Sequence, residues 1–241
     1  MPIDCSARIR RPDLLVFDIE IRHVRGAGGS SAVSGDPATH ILNVTSKGDY
    51  PWQRFSPMFP HGEIPIPYFA NRSAESVEGI WQGLKRFEFE NRIDCGYFDN
   101  RSMRNLKRTS RAKGMFGVAR GRVLGHQLGA HETILLNYVE ARTLIYLPSY
   151  RWILEHRLQD EVAELRKLTR TSRLVLLDYS TNGDVARIDK PLSHAALVRA
   201  YLLDSWPAPA VVQPKVPSGS AHCEHRVVPR TTRPRPLPDA G

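Results

Sequence analysis

The run Arg173-Leu174-Val175-Leu176-Leu177-Asp178-Tyr179 is almost continuously apolar, and an apolar run of this length predicts a β-strand. The residues that follow, Ser180-Thr181-Asn182-Gly183-Asp184, predict a turn because Asn and Gly tolerate positive φ angles. Ser193 is then expected to cap a helix that runs from His194 to about Trp206. A strand followed by a helix indicates a fold that combines both types of element.

Two helices are predicted upstream of this strand. Residues 150–169 place several apolar side chains on one helical stripe, namely Leu154, Leu158, Val162, Leu165 and Leu168. Residues 133–147 predict another helix, and Pro148 is expected to interrupt the chain between the two.

The first 90 residues predict strands, a loop and one helix. Strands are expected at residues 14–21 and 40–45, with a Gly-, Ser- and Pro-rich loop over residues 26–37. Residues 51–69 hold five prolines among aromatic residues, which excludes a regular helix and predicts an ordered extended loop. Ser73 or Ser76 is expected to cap a helix that runs to about Glu90.

These elements together predict an α+β fold, in the form of a mainly helical single domain with a small sheet over residues 40–206. The 41% of apolar residues is enough to bury a core. Residues 1–39 are assigned to an N-terminal extension. The Pro- and Arg-rich residues 207–241 are assigned to a disordered tail because they offer little to bury.

The cysteines and the hydropathy indicate a compartment. Cys5, Cys95 and Cys223 lie far apart without paired spacing, so we expect neither a disulfide framework nor a zinc ribbon. No apolar run approaches the roughly 20 residues of a membrane span, and the start lacks a secretory signal. We therefore expect a cytoplasmic protein without membrane association. The segment His222-Cys223-Glu224-His225 has no second pair of ligands, so no metal site is predicted.

The net charge of +9 suggests an anionic partner. Net charge affects how a protein associates with its partners, but it does not identify the reaction that the protein catalyses. The basic segment, defined as residues 99–132, contains no acidic residue between Asp99 and Glu132. Its first half is predicted to be helical. Its glycine-rich second half, residues 114–129, is predicted to be a loop.

Three polar residues of the helix after Ser76 share one narrow stripe: Glu78, Gln82 and Lys85. Apolar residues take the other sector and are expected to pack on the core. Spacing alone favours a solvated face with a glutamate and a lysine two turns apart. A lysine can also lose its proton and act as a nucleophile, which directs attention to Lys85.

The sequence Ser76-Val77-Glu78, followed by Trp81-Gln82 and Lys85, resembles the Ser-Val-Glu-x-x-Phe-Gln-x-x-Lys helix of the NADAR family. These NAD- and ADP-ribose-linked proteins are related to the swarming-motility protein YbiA, and they carry an aromatic, proline-bearing loop before the helix. Residues 54–60 are similar to that loop, and the similar order of elements spans residues 55–184. The chain has Asn182-Gly183-Asp184 where the family usually has a Trp-Gly pair. Residues 41–60 and 191–195 resemble more closely an uncharacterised bacterial and phage family of unassigned function.

The NADAR resemblance implies an N-glycosidase, a hydrolase that cleaves the bond between a base or amine and the ribose of an ADP-ribose-type compound. It makes Lys85 the Schiff-base nucleophile and Glu78 the acid/base, and it implies no cofactor. Trp52, Phe55 and Trp81 are the candidates for stacking on a ring, but the position of Trp81 on the apolar side of the helix favours a core role for it. The expected substrate-binding residues are Trp52, Phe55, Gln82, Lys107, Arg108, Arg111, Asp178, Asn182 and Asp184.

The partner implied is an ADP-ribose-containing small molecule or an ADP-ribosylated nucleic acid, and the oligomeric state is left open. Two alternatives remain. One is a basic nucleic-acid-binding module that uses residues 101–122 and the Arg-rich tail for phosphate contacts. The other is a non-catalytic ADP-ribose sensor.

Overall fold

The computed structural model describes residues 18–24, 38–114 and 117–207. A three-stranded parallel sheet places β8 (Arg173–Asp178) between β1 (Ile19–His23) and β2 (Thr39–Asn43). Residues 174–177 of β8 are fully buried, as expected for a strand covered on both faces. The strands predicted at residues 173–179 and 40–45 are therefore confirmed.

Strand β1 ends later in the chain than the strand predicted at residues 14–21. It begins at Ile19 and ends at His23, whereas residues 14–17 of the predicted strand lie outside the described residues. The predicted loop over residues 26–37 also lies outside them. The sheet thus includes residues that the sequence analysis assigned to the extension.

Strands β3 (Ile64–Pro65) and β4 (Ser73–Ala74) form a two-stranded antiparallel sheet. A further antiparallel sheet contains β5 (Lys85–Phe87), β6 (Val123–Leu128) and β7 (His131–Leu136). The predicted loop over residues 114–129 is wrong from Val123 onward, where β6 begins, and the helix predicted from residue 133 begins only at Tyr138 because residues 131–136 form β7. The turn between β6 and β7 uses Gly129 at a φ of 55°. A Cβ there would lie 2.2 Å from the Tyr68 carbonyl oxygen, so the glycine allows a close approach. Glycine in this segment therefore marks a tight turn within a sheet.

The first half of the basic segment is irregular, so the helix predicted there is also wrong. Residues 99–114 contain no α-helix, and Met103 and Asn105 adopt positive φ angles of 56° and 57°. The Asn100 side chain accepts from the Ser102 backbone and donates to the Arg104 carbonyl. Local side-chain bonds of this kind compete with helix formation.

Helix α1 (Val77–Gly83) follows the predicted cap, since the Ser76 hydroxyl accepts from the Gly79 N–H. The helix ends at Gly83 and not near Glu90. Its last carbonyls accept hydrogen bonds from the Arg108 guanidinium and, at Gly83, from the Asp94 N–H. These long-range donors satisfy the helix end and let the chain continue as β5.

The next helical segment is continuous through Pro148, contrary to the prediction. It comprises α2 (Tyr138–Ala141), a π turn (Arg142–Tyr146) and α3 (Leu147–His156). Proline clashes with the preceding turn of a regular helix, and Pro148 lies in the first turn of α3 directly after the wider π turn. The actual break comes at Arg157 and Leu158, after which α4 spans Gln159–Leu168.

Helix α5 (His194–Leu202) is capped by Ser193 as predicted, although it ends before Trp206. Helices account for about 30% and strands for about 21% of the structure, which confirms the α+β fold. One large apolar cluster joins the loop at Phe55, helix α1, the α3–α4 pair and strand β8. The tail from residue 208 lies outside the described residues.

Two further features bear on the protein's surroundings. Cys95 is disulfide-bonded, so the expectation of no disulfide is wrong; cysteine spacing along the chain does not report which residues meet in space. Within the described ranges, no helix has the length and apolar character needed to cross a membrane.

Candidate functional site

A cavity of about 390 Å³ lies beyond the carboxyl ends of the parallel strands β2 and β8. Its walls come from the residues after these strands, the loop at 56–58, helix α1, Lys107, the π turn and the start of α5. Ligands of open parallel sheets commonly bind at this edge. The volume falls within the range of about 300–1,000 Å³ that is typical of small-ligand sites.

Three side chains on the cavity wall form a hydrogen-bonded chain. Lys85 Nζ donates to Gln82 Oε1 at 2.9 Å, and Gln82 Nε2 donates to Glu78 Oε1 at 2.7 Å. The Arg108 backbone N–H also donates to Gln82 Oε1, at 3.0 Å. Because a backbone N–H can only donate, this bond fixes the orientation of the Gln82 amide. The amine and the carboxyl group are thus held by one oriented side chain.

The stripe predicted for one helix is therefore built from two elements. Glu78 and Gln82 lie on α1, whereas Lys85 is the first residue of β5. The Glu78 N–H donates to the Pro57 carbonyl at 2.8 Å, which holds the proline-aromatic loop against the start of α1. The loop and the helix motif thus meet at the same wall of the cavity.

Arg108 supports this chain from the protein interior. Its side chain is fully buried, and Nη1 donates to the carbonyls of Gln82 at 2.9 Å and Lys85 at 2.7 Å. Nη2 lies 3.3 Å from Glu90 Oε2, which also pairs with Arg120 at 2.6 Å. Arg108 therefore connects the end of α1 to β5 and is committed to protein partners.

The surroundings of Lys85 favour its neutral form. Burial is the largest cause that lowers the pKa of the Lys85 ammonium; the Glu78 carboxylate opposes it, and the charges of Arg108 and Lys107 lower this pKa further. Within the described residues, no carboxylate forms an ion pair with Lys85, whose hydrogen bond goes to Gln82. A larger fraction of Lys85 is thus available as the unprotonated amine that can attack carbon.

An aromatic wall faces the hydrogen-bonded chain. The Trp81 ring packs on His126 with centroids 3.9 Å apart and meets Tyr138 and Tyr146 edge-on at 5.6 and 5.7 Å. Burial, together with the charges of Lys85 and Arg108, lowers the pKa of His126 to about 3. The ring behind Trp81 is therefore uncharged at neutral pH. Trp81 itself is 8% exposed, so it belongs to the core as predicted and also lines the cavity.

Asp178, at the end of β8, borders the cavity but is occupied by protein donors. Its Oδ2 accepts from the Ser193 hydroxyl at 2.7 Å and the Ala195 N–H at 3.3 Å, and its Oδ1 accepts from the Tyr179 N–H at 2.6 Å. His194 Nδ1 lies 3.1 Å from Oδ2. Asp178 thus joins β8 to the start of α5, which is a structural role.

The loop at residues 182–190 closes the same side. Arg142, in the π turn, donates to the carbonyls of Val185, Arg187 and Lys190 at 2.7–2.9 Å. Asn182 Nδ2 donates within the loop, to the carbonyls of Asp184, Arg187 and Lys190. Asn182 therefore shapes this loop and does not line the cavity.

The structure brings together part of the predicted site. The predicted residues that line the cavity are Glu78, Gln82, Lys85, Lys107 and Asp178. Those that do not are Trp52, Phe55, Arg108, Arg111, Asn182 and Asp184. Phe55 is fully buried in the core, Trp52 packs beside it, and Arg111 is exposed. Asp184 accepts from the Ala186 N–H and contributes to the loop.

Sequence reasoning missed the residues of the π turn and the helix before it. Tyr138, Arg142 and Tyr146 all line the cavity, yet they fall inside the helix predicted for residues 133–147. A usable signal was present, because Asn137 and Glu140 form a capping box that places the helix start at Tyr138. The described residues contain no group of three or more His, Cys, Asp or Glu side chains arranged to hold a metal ion.

Comparison with known proteins places the chain in a family. A family model described as a family of unknown function (DUF6939) matches residues 30–198, and the chain belongs to this family. No curated protein matches the chain, and no solved structure does.

Proposed function

We propose that this member of the DUF6939 family is an N-glycosidase that cleaves the bond between a base or amine and the ribose of an ADP-ribose-type compound, such as ADP-ribosylated guanine. The observation that carries the proposal is the Lys85–Gln82–Glu78 hydrogen-bonded chain on the wall of a cavity of ligand size. The resemblance of the same residues to the NADAR helix motif supports it.

The chemistry needs a neutral amine and a carboxylic acid. One proton moving from the Lys85 ammonium to the Glu78 carboxylate, through water or substrate, generates both. Lys85 Nζ then attacks the anomeric carbon, and the bond to the base breaks with its electrons going to the base nitrogen, which takes the Glu78 proton. Opening of the sugar gives a Schiff base on Lys85. Water hydrolyses this intermediate and releases the ribose compound.

The remaining walls suit a nucleotide-like ligand. Trp81 and Tyr138 offer ring faces and edges for a base. Of the three basic residues predicted to bind a diphosphate, Lys107 is exposed and lines the cavity, so it is the donor we assign to this role. The partner is therefore an ADP-ribose-containing small molecule or the same group carried on nucleic acid.

The proposal is tested by incubation with ADP-ribosylated guanosine, followed by borohydride reduction and peptide mapping. We expect release of guanine-containing product and a reduced adduct on Lys85. Lys85→Met should abolish both, and Glu78→Gln should slow base release by at least about 100-fold. The matched controls are Lys113→Met and Glu75→Gln, which alter an exposed lysine and a glutamate just before α1.

Absence of base release and of any trapped lysine across several ADP-ribosyl substrates would overturn the proposal. Thermal stabilisation by ADP-ribose without turnover would instead indicate the sensor.

One observation favours a second candidate, a nucleic-acid-binding module. Within the described residues, the basic segment presents exposed cations at Arg104, Arg111, Lys113 and Arg122 in addition to Lys107. Nucleic-acid binding that weakens steeply with salt and survives both Glu78→Ala and Lys85→Ala would favour this function.

A cytoplasmic location is part of the proposal because NAD-derived nucleotides are intracellular compounds. The Cys95 disulfide offers a test, since cytosolic thiols are normally kept reduced. Rapid alkylation of cells followed by mapping of Cys95 reports the compartment, and recovery of an alkylated thiol would support the cytoplasm. Recovery as a disulfide would place the protein in an oxidising compartment.

A further inference from the structure

Tyr146 presents an unpaired hydroxyl to the cavity. The residue is 9% exposed and lines the cavity, and its hydroxyl has no hydrogen-bond partner among the described residues. The hydroxyl is therefore open to the cavity and available to a ligand or to water. Tyr150, one turn later, shows the ordinary arrangement, because its hydroxyl donates to the Phe55 carbonyl at 2.6 Å.

The Tyr146 ring is held in place by its neighbours. It stacks on Tyr150 with ring planes 7° apart and meets Trp81 edge-on at 5.7 Å. Tyr146 is also the last residue of the π turn, and such turns are frequent at functional sites. The hydroxyl is therefore positioned by packing on both sides and directed at space that a ligand would fill.

The charges around this hydroxyl come from several elements. Glu78 on α1, Asp178 at the end of β8 and Tyr138 on α2 face it, together with Arg142 of the same turn. Burial and then the Glu78 and Asp178 carboxylates raise the pKa of Tyr146 well above its ordinary value, and Arg142 opposes them. The phenol is thus a persistent proton donor. Because the Asp178 oxygens already accept from protein groups, Glu78 is the carboxyl group free to exchange a proton with it.

We propose that Tyr146 is a further catalytic residue, and that its hydroxyl protonates the ribose ring oxygen when the sugar opens on Lys85. The inference rests on the proposed N-glycosidase function. It assigns to the ring-opening step a donor distinct from Glu78, which holds the proton taken from Lys85 Nζ.

Ring opening moves one proton from Lys85 Nζ to the ribose ring oxygen, and Glu78 and Tyr146 carry it. After base release, Glu78 is a carboxylate. It takes one proton from Lys85 Nζ, which is now bonded to the anomeric carbon. The nitrogen lone pair then forms the C=N bond, the bond from the anomeric carbon to the ring oxygen breaks, and its electrons go to that oxygen. The oxygen takes the Tyr146 proton, and Glu78 returns its proton to the phenolate. Hydrolysis runs these transfers in reverse, with water adding to the C=N carbon.

The test compares Tyr146→Phe with Tyr150→Phe, using ADP-ribosylated guanosine in rapid-quench and borohydride-trapping experiments. Tyr146→Phe keeps the ring and should still release one equivalent of base per enzyme in a first turnover. Its steady-state kcat and its yield of trapped Lys85 adduct should both fall by about 100-fold, and KM should fall with kcat because the covalent intermediate that precedes ring opening accumulates. Tyr150→Phe loses a buried hydrogen bond away from the cavity and should lower Tm while kcat stays within about threefold.

Kinetics and adduct yield of Tyr146→Phe within twofold of wild type would overturn the role of Tyr146 and leave the N-glycosidase intact. Equal loss of first-turnover base release and trapping would also overturn it, because the hydroxyl would then act before ring opening. If wild type releases no base, the proposed function fails, and the assignment of Tyr146 fails with it.

Discussion

Gln82 determines how Lys85 and Glu78 influence each other. A direct ion pair would favour the charged ammonium, since an opposite charge in contact stabilises the protonated form. The intervening amide instead contacts both groups, so Glu78 stays close enough to exchange a proton while burial still lowers the pKa of Lys85. The amide itself cannot rotate freely, because the Arg108 N–H fixes it.

Lys107→Met should move the pH dependence of activity. Lys107 is exposed, and its charge lowers the pKa of Lys85, so its removal raises that pKa. The amine then deprotonates at higher pH, and the acidic limb of the kcat/KM profile should shift upward. Lys113→Met, at another exposed lysine of the basic segment, serves as the control. A limb that stays in place in Lys107→Met would contradict the electrostatic account of Lys85.

Helix α1 shows how an element can end for reasons remote from its own sequence. The start of α1 was predictable, because serine commonly caps helices and the Ser76 hydroxyl accepts from the Gly79 N–H within the first turn. Its end depends on Arg108, whose guanidinium donates to the carbonyls of Gln82 and Lys85. No local pattern reveals that donor, which is why the helix was predicted to continue to Glu90.

Arg108→Met should therefore destabilise the protein strongly. It removes the bonds that join α1 to β5 and leaves Glu90 with Arg120 as its remaining ion-pair partner within the described residues. We expect the free energy of unfolding to fall by about 3 kcal/mol in urea denaturation. Arg111→Met, at an exposed arginine in the same segment, should change it by less than about 0.5 kcal/mol. Similar losses in both variants would show that Arg108 is not a specific clamp.

At the scale of the whole molecule, short-range and long-range features differ in how far sequence predicts them. Helical spacing predicts that Glu78, Gln82 and Lys85 lie together, and they do, although Lys85 belongs to β5. The approach of Asp178 to this stripe follows from the parallel pairing of β8 with β2. The position of Tyr146 depends on a π turn. The π turn has no periodicity in the sequence, so the prediction included Asp178 with Glu78, Gln82 and Lys85 but missed Tyr146.

The buried His126 and the half-buried His61 predict a loss of stability in acid. Burial lowers the pKa of His126 to about 3 and that of His61 to about 4, both from 6.5. Below pH 6.5 the unfolded chain therefore binds protons that the folded protein does not. The free energy of unfolding should fall by about 1.4 kcal/mol per pH unit for each histidine as the pH decreases towards those values.

Urea denaturation of His126→Phe at pH 7, 6 and 5 checks this expectation. The phenyl ring can still pack behind Trp81, but it takes up no proton on unfolding. The free energy of unfolding of the variant should therefore depend less steeply on pH than that of wild type, and the difference should correspond to about one proton. An unchanged slope would mean that His126 is not a buried neutral group in solution.

The order of strands in the parallel sheet has a consequence for how the protein is made. Strands β1 and β2 leave the ribosome early, yet each pairs with β8 and not with the other. A nascent chain that has not yet reached residue 178 lacks β8, the strand that joins β1 and β2. The apolar side chains of β1 and β2 cannot be buried in the sheet until β8 is present. Because closing so long a loop is slow, the sheet and the cavity at its edge form together, and only after β8 has been made.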